Sequence, residues 1–326
     1  MKFAGLPATF IAALVWAGAV AAQTQPQVYR VGLLSVAADP TDKSPFGAGL
    51  IRGFARQGFI LGQNLALERR AAHGQLDRLP QLVDELVASK VAVIVTGGYP
   101  AALAAKRHSA LPIVAVQAGD PVEDGLVTSF ARPGGHVTGL SEVAAELSAK
   151  RLALLKEAVP SVHRVAMLWN AEDLGMSLRY KAAEAQAHSL GIDVESLGVR
   201  APEGFDTAFS AMMSQPPDAI LMVSDVLTTL NRKRVFDFAT QHKLPAIYEY
   251  DFLVRDGGLM SYGPDVTEMY DRAAGLAVRI LKGADPAQLP LEAPTRFVLA
   301  INLGTAKAIG LAIPPSLLAR ADDVIE

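Results

Sequence analysis

The sequence contains no cysteine in its 326 residues. Disulfide bonds and thiol chemistry are therefore excluded, and so is a lipid anchor attached to an amino-terminal cysteine. In an exported chain, this absence is typical of a protein of the bacterial periplasm.

The motifs of the common nucleotide, hydrolase and metal sites are also missing. The chain has no GxxxxGK[ST], no GxSxG and no HExxH, and its six histidines show no metal-ligand spacing. The stretch from Gly47 to Gly53 resembles the dinucleotide fingerprint, but it has one residue too many and lies well beyond its strand. We therefore predict that the chain is not an enzyme and has neither a metal nor an organic cofactor.

Neither sign of charge is in large excess. The net charge is −3, and the acids and bases are scattered along the chain. This distribution gives no electrostatic footprint for nucleic acid or for an anionic membrane surface. Beyond the amino terminus, no segment is apolar for long enough to cross a bilayer.

The amino terminus has the pattern of a signal peptide. Lys2 precedes the apolar run Phe10–Val20, which is too short to span a bilayer and is followed by small residues up to Ala22. A membrane anchor is the alternative, but no positive residues follow the apolar run. We predict a signal peptide over residues 1–22, cleavage near Ala22 and export to the periplasm.

The rest of the chain alternates buried-type strands with helical patterns, which predicts βαβ units and parallel sheets. About 300 residues remain after the leader, enough for two domains. The predicted strands are Arg30–Ser35, Leu65–Ala71, Val91–Thr96, Pro112–Gln117 and Val137–Leu140 in the first half, and Arg164–Trp169, Asp193–Val199, Ala219–Ser224 and Ala246–Tyr250 in the second. The main predicted helices are Phe46–Gln57, Leu76–Ser89, Glu146–Ala158, Arg179–Ser189, Phe205–Ser214, Val235–His242 and Val266–Lys282.

The second half repeats the order and spacing of the first, which favours two similar lobes over a chance alignment of βαβ units. The chain would then cross between the lobes near Leu140–Val143, near Tyr262–Asp265 and in the proline-rich segment that follows Lys282. Several crossovers predict a hinge that closes around a ligand. The predicted division is 28–141 plus 263–290 for lobe 1 and 142–262 plus 295–326 for lobe 2.

Two strand ends predict a cleft. Val91–Lys106 runs from a buried strand through Thr96, Gly97, Gly98 and Tyr99 into a helix. Glycines let a ligand approach the backbone, and a helix start offers N–H groups to an anion, although an ordinary tight turn is the alternative. Asp218–Asp225 is a second buried strand that ends in small and polar residues, so two such ends would face each other.

Six segments together resemble one protein family. They are Gly119–Val122 (GDPV), Ala131–Gly139 (ARPGGHVTG), Lys150–Pro160 (KRLALLKEAVP), Leu244–Tyr248 (LPAIY), Gly257–Asp265 (GGLMSYGPD) and Ile313–Asp322 (IPPSLLARAD). From Arg30 to Glu326 the chain resembles ABC-transporter substrate-binding proteins of the uncharacterised or tryptophan/tyrosine type. The resemblance implies a type I periplasmic-binding-protein fold, in which two Rossmann-like α/β lobes with parallel sheets are joined by a multi-crossover hinge.

The same resemblance implies a function. The chain would be the periplasmic solute-binding component of an ABC importer, acting as a monomer with a permease and an ATPase in the inner membrane. Its ligand would be a small organic solute, with an amino acid, especially an aromatic one, as the best guess. An extracytoplasmic receptor of the same fold, feeding a signalling partner, is the alternative. Tyr99 and His136 replace the threonine and asparagine usual in the family, and the change at Tyr99 leaves open a different ligand.

Ligands of open α/β sheets bind outside the carboxyl ends of the strands. The ligand-binding residues predicted by this rule are Ser35, Thr96, Gly97, Gly98, Tyr99, Gly119, Asp120, Asn170, Ser224, Asp225, Tyr250 and Tyr262. An α-amino acid would place its carboxylate at the hydroxyl of Ser35 or Thr96. Its ammonium would meet Asp225 in preference to Asp120, which precedes a proline and has turn initiation as an alternative role. The tyrosines would either stack on the ligand or pack at the hinge.

Overall fold

A computed structural model of the chain describes Met1 and residues 27–326. Apart from Met1, the predicted signal peptide lies outside the described residues. Within the described part of the chain, no helix is long and apolar enough to cross a membrane.

The first sheet has five strands, all parallel, in the order β2-β1-β3-β4-β5. The strands are β1 (Tyr29–Ser35), β2 (Leu65–Ala71), β3 (Val93–Gly97), β4 (Ile113–Val116) and β5 (Val137–Gly139). The helices that alternate with these strands are α1 (Pro45–Arg56), α2 (Leu79–Ala88) and α3 (Tyr99–His108).

Both faces of this sheet are covered, as the apolar runs predict. Val93 and Val95 of β3 join one core cluster with residues of α1 and of a helix from late in the chain, Val266–Leu281. Ile94 joins the other cluster, with residues of α2 and α3. Successive strand residues point to opposite faces, so a continuous apolar run buries both.

The second sheet has seven strands in the order β12-β11-β10-β9-β8-β6-β7. They are β6 (Arg164–Asn170), β7 (Asp193–Val199), β8 (Ala219–Met222), β9 (Ala246–Tyr248), β10 (Met260–Pro264), β11 (Phe297–Asn302) and β12 (Asp323–Ile325). The helices are α4 (Ala144–Ala158), α5 (Leu174–Ala187), α6 (Gly204–Ser214), α7 (Val226–Leu230), α8 (Arg232–Gln241), α9 (Asp251–Arg255), α10 (Val266–Leu281), α11 (Leu303–Ile309) and α12 (Pro315–Leu318).

Five strands of this sheet follow the order β7-β6-β8-β9-β10, which is the order of the first sheet. The repeat expected from the spacing is therefore present in the topology. The second sheet is mainly parallel, as predicted, and β11, which was not predicted, pairs antiparallel with β10. The helix between them, α10, packs against α1 and the first sheet, so it is not a crossover over its own sheet. After α10 the chain enters the second sheet at the same end at which β10 left it. β11 therefore runs in the direction opposite to β10.

Several elements differ from their predicted bounds. α5 begins at Leu174 rather than at Arg179, because the side chain of Asp173 caps it by accepting from the N–H groups of Gly175 and Met176. β8 and β9 end before Ser224 and Tyr250, and the short helices α7 and α9 follow them. The carboxyl-terminal tail, which had no predicted elements, adds two strands to the second sheet.

The glycines between α1 and α10 explain the false dinucleotide fingerprint. A Cβ added at Gly53 would lie 2.3 Å from the carbonyl oxygen of Asp271, and one at Gly49 would lie 2.6 Å from that of Thr267. The glycines therefore let two helix backbones approach closely, which is a packing role.

Three segments connect the two sheets, and they are hydrogen-bonded to one another. The N–H of Ser141 donates to the carbonyl of Glu292 over 2.9 Å, and the N–H of Glu292 donates to Gly139 over 3.0 Å. The N–H of Asp265 donates to the carbonyl of Arg296 over 3.1 Å. The crossovers thus form one hydrogen-bonded group, while the exact residue limits of the two lobes stay a prediction.

Candidate functional site

The candidate site lies where the carboxyl ends of the two sheets meet. In a sheet of this strand order, the chain reverses its direction of winding between the first and third strands, and ligands bind at that point. In the first sheet the two strand ends there are Ser35 and Gly97, which are paired in register. In the second sheet they are Asn170 and Met222.

In the first lobe the predicted loop after β3 is shaped by glycine. Gly98 has φ of 100°, and a Cβ there would lie 2.9 Å from a methyl carbon of Val36. Thr96 is fully buried, and its Oγ1 has no hydrogen-bond partner within residues 27–326. The Ser35 hydroxyl accepts from the N–H of Ala37 over 3.3 Å. Of these two hydroxyls, that of Thr96 is therefore the one that lacks a hydrogen-bond partner among the described residues.

In the second lobe the structure brings Asn170 and Asp225 together. The Asn170 side-chain amide donates to Oδ2 of Asp225. Oδ1 of Asp225 accepts from the N–H of Thr228 over 2.8 Å, which forms a capping box at the start of α7. Both carboxylate oxygens of Asp225 thus have partners. The neighbouring Ser224 is buried, and its Oγ has none within the described chain.

Asp120 also has a structural role. Its carboxylate accepts from the N–H groups of Ala144 and Ala145, each over 3.1 Å, and from the hydroxyl of Ser141 over 3.3 Å. These bonds fasten the loop after β4 to the first crossover and to the first turn of α4. Asp120 therefore does more than initiate a turn.

A third acid, Asp124, was not among the predicted residues. It is 5 % exposed, and neither carboxylate oxygen has a hydrogen-bond partner among the residues that the structure describes. A Cβ added to Gly175, in the first turn of α5, would lie 3.3 Å from Oδ2 of Asp124. Asp124 therefore lies between the two lobes. Burial raises the pKa of its carboxyl to about 7, although Arg179 acts against the shift.

Four charged side chains form a buried cluster beside Asp124, which we call the charge cluster: Glu142, Arg151, Arg179 and Glu249. Arg179 donates to Oε2 of Glu249 over 2.8 Å and lies 3.2 Å from Oε2 of Glu142. Arg151 donates to Oε1 of Glu249 over 2.9 Å. Burial acts to lower the pKa of Arg179, but Glu249 and Glu142 raise it overall.

The charge cluster ties together the strand ends of both lobes. Glu142 accepts from the N–H of Gly119 over 3.0 Å, and Glu249 accepts from the N–H of Ser224 over 3.1 Å. Arg151 donates to the carbonyl of Tyr262 over 2.7 Å, at the second crossover. Gly119 and Ser224 were predicted site residues, and the cluster lies directly against them.

The three predicted tyrosines have different environments. Tyr99 donates its hydroxyl to the carbonyl of Asp124 over 3.0 Å. Tyr250 is 7 % exposed, donates to Glu142 and stacks on Phe252 with ring centroids 5.6 Å apart. Tyr262 stacks on Phe297 at 6.0 Å. Tyr250 and Tyr262 thus pack against aromatic residues of the protein, which is the alternative to stacking on a ligand.

Sequence reasoning missed Asp124 and all four members of the charge cluster. One signal was available, because Glu249 follows β9 directly and the strand-end rule that selected Tyr250 applies equally to it. For Arg179, the neighbouring sequence contains no motif or strand end that would indicate a site. Its partners Glu142 and Glu249 are 37 and 70 residues away in the chain.

Comparison with known proteins identifies relatives of the whole described chain. Residues 36–325 match a family model described as ABC transporter substrate binding protein. A tyrosine-binding protein from Clostridioides difficile (strain R20291) is 25 % identical over 265 residues, which covers 81 % of this chain and 76 % of the relative. A solved ABC domain in complex with L-Trp from Streptococcus pneumonia has a TM-score of 0.84 at 25 % identity and covers 92 % of this chain and 100 % of that one. The glucose-galactose binding protein of Geobacillus stearothermophilus is similar in fold alone, with a TM-score of 0.60 at 16 % identity, covering 84 % and 97 % of the two chains.

Proposed function

Because the chain belongs to the family of ABC transporter substrate-binding proteins, we propose that it is the solute-binding component of an ABC importer and binds its ligand in the cleft between the two lobes. Membership confirms the family predicted from the sequence segments, and it is a family of binding proteins, not of enzymes. The two α/β lobes with mainly parallel sheets are similar to type I periplasmic binding proteins, which confirms the predicted fold class.

One observation carries the proposal of a ligand at this place. The hydroxyls of Thr96 and Ser224 are buried at equivalent strand ends of the two lobes, and neither has a hydrogen-bond partner in residues 27–326. Buried polar groups in proteins are nearly always hydrogen-bonded, so we expect each of these hydroxyls to bond to a group outside the protein chain. A polar solute held between the strand ends would supply one to each lobe.

We propose an amino acid with an aromatic side chain as the ligand. A relative of this chain is a tyrosine-binding protein, and a similar solved structure contains L-Trp. The cleft has suitable chemistry, with the start of α3 for a carboxylate and carboxylates of both lobes for an ammonium. The predicted residues Ser35, Thr96, Gly97, Gly98, Tyr99, Gly119, Asp120, Asn170, Ser224, Asp225, Tyr250 and Tyr262 remain the proposed surroundings of the ligand.

The proposed partners and location follow from the family. A permease and an ATPase in the inner membrane would receive the solute from this chain. We propose export to the periplasm with removal of the leader near Ala22, since the leader has a short apolar core that ends in small residues.

A thermal-shift screen tests the ligand class. L-tyrosine and L-tryptophan are expected to raise the unfolding midpoint by several degrees, while glucose and galactose leave it unchanged. The physical reason is linkage, because a ligand that binds only the folded state adds about 2.7 kcal/mol at a hundredfold excess over its Kd. If glucose or galactose raised the unfolding midpoint and neither amino acid did, the proposed ligand class would be wrong.

Thr96→Val tests the place of binding. Valine keeps the shape of the side chain and removes the hydroxyl that lacks a partner, so the unliganded protein is expected to be at least as stable as the native one. The affinity for the amino acid that binds best is expected to fall about fivefold to tenfold, as for one lost hydrogen bond. Isothermal titration measures the change, and an unchanged affinity would remove Thr96 from the site.

A further inference from the structure

The surroundings of Asp124 contain more negative than positive charge. The carboxylates there are Asp120, Asp124, Glu142, Asp173 and Glu249, and the guanidinium groups are Arg151 and Arg179. Both arginines already pair with Glu249, and Arg179 also pairs with Glu142. Of the buried carboxylates in this set, Glu142 and Glu249 are paired with arginine and Asp124 has no hydrogen-bond partner in the described residues, so Asp124 requires a further cation or a proton.

The geometry points to Asp124 as the group that binds the ammonium of the ligand. We propose that its carboxylate, held between the loop after β4 and the first turn of α5, restricts the site to ligands with a protonated primary amine. This inference rests on the proposed function and specifies its ligand class.

Asp124 suits this role better than the two acids that the sequence suggested. Asp225 uses both oxygens to hold Asn170 and the start of α7. Asp120 uses its oxygens to hold the first crossover. Asp124 is the acid of the three that is at least nine-tenths buried and has no hydrogen-bond partner in the described structure.

The position of Asp124 also connects binding to closure of the lobes. Its carboxylate faces Arg179 of α5 and the capping residue Asp173 from the second lobe, and Asp120 of its own loop. On the side of α3, Tyr99 lies close to Asp124, Arg107 lies near Tyr99, and Lys106 donates to the carbonyls of Gly125 and Leu126 in the same loop. An ammonium bound to Asp124 would therefore lie against both lobes, and it would relieve the repulsion between the acids that closure brings together.

A proton is the competitor of the ammonium for this carboxylate. Burial favours the protonated acid, and the pKa of Asp124 is raised to about 7. The affinity for an amine ligand is then highest above the pKa of Asp124. It falls as the pH decreases through this pKa, because protonated Asp124 cannot pair with an ammonium. Between pH 8 and pH 6 we expect a fall of about tenfold, with release of a proton on binding at the lower pH.

The experiment is isothermal titration with matched ligands. The probes are L-tyrosine and L-tryptophan, with 3-(4-hydroxyphenyl)propionate and indole-3-propionate as the same acids without the amine. The native protein is expected to bind the amino acids at least a hundredfold more tightly. Asp124→Asn is expected to weaken the amino acids at least tenfold, to leave the amine-free acids unchanged, and to abolish the pH dependence. Glu123→Gln removes an exposed charge one residue away and should behave as the native protein.

Two results would overturn the inference while the proposed function stands. One is an Asp124→Asn variant that binds the amino acids as tightly as the native protein does. The other is a native affinity that stays flat between pH 6 and pH 8, and this measurement needs no variant that must fold. Failure of the native protein to bind either amino acid would instead overturn the ligand class, and this inference with it.

Discussion

Replacing Arg179 by methionine is expected to lower the free energy of unfolding by about 3–5 kcal/mol. The guanidinium is 4 % exposed and pairs with Glu249, which is 1 % exposed, and with Glu142. Methionine fills a similar volume but leaves Glu142 buried without a cation. Such a carboxylate must either stay charged at a high desolvation cost or take up a proton, and both destabilise the fold at neutral pH. Urea unfolding of the unliganded protein, followed by circular dichroism, measures the loss.

Arg200→Met is the matched control. Arg200 also forms an ion pair, with Glu172 at 2.8 Å, but the two side chains are 69 % and 64 % exposed. An exposed pair contributes little, so the change is expected to be below about 1 kcal/mol. Similar losses in the two variants would show that burial of the charge cluster adds nothing to its effect on stability.

The second large effect is expected at the contact between α1 and α10. Gly53→Ala should destabilise the protein by about 1–3 kcal/mol, because the new Cβ would lie 2.3 Å from the carbonyl oxygen of Asp271 and 2.7 Å from Cβ of Ala274. A carbonyl oxygen cannot rotate away as a side chain can, so the two helices must separate. Thermal and urea unfolding measure the change.

Gly275→Ala separates this clash from the general effect of a helical glycine. Gly275 lies on α10, and apart from its chain neighbours and the nearby backbone of α10 itself, no described atom comes within 4 Å of a Cβ added there. Alanine is the better helix former by about 1 kcal/mol, so this variant should be slightly more stable than the native protein. Two variants that shift stability in the same direction would contradict close packing as the reason for Gly53.

Much of the fold could be predicted because local patterns carry it. Strands such as β2 and β7 were predicted with their observed bounds, since buried apolar residues alternate with less buried ones at Leu65 and Leu67 of β2 and at Leu197 and Val199 of β7. The antiparallel β11 could not be predicted in this way. Its direction depends on α10 packing against the other lobe, and nothing in the local sequence of β11 records where a distant helix packs.

The candidate site divides in the same manner. The strand-end rule selected Thr96 and Ser224 from sequence alone, because every parallel strand presents its carboxyl end to the same edge of its sheet. It could not choose among the acids. Asp225 and Asp124 look alike in a sequence. One oxygen of Asp225 is bonded locally by the N–H of Thr228, but the amide of Asn170 that bonds the other oxygen is 55 residues away in the chain.

The sequence by itself determined the α/β class, the repeated strand order, the predicted leader and the resemblance to the family, because each depends on residues close together in the chain or on contiguous segments. The tertiary structure decided the charge cluster and the position of Asp124. Arg179 meets Glu249 only after α5 has packed on the second sheet, and the cluster meets the first lobe through Glu142, which accepts from the N–H of Gly119. Burial and charge pairing are properties of that assembled contact, since desolvation acts on a side chain only when other parts of the chain cover it.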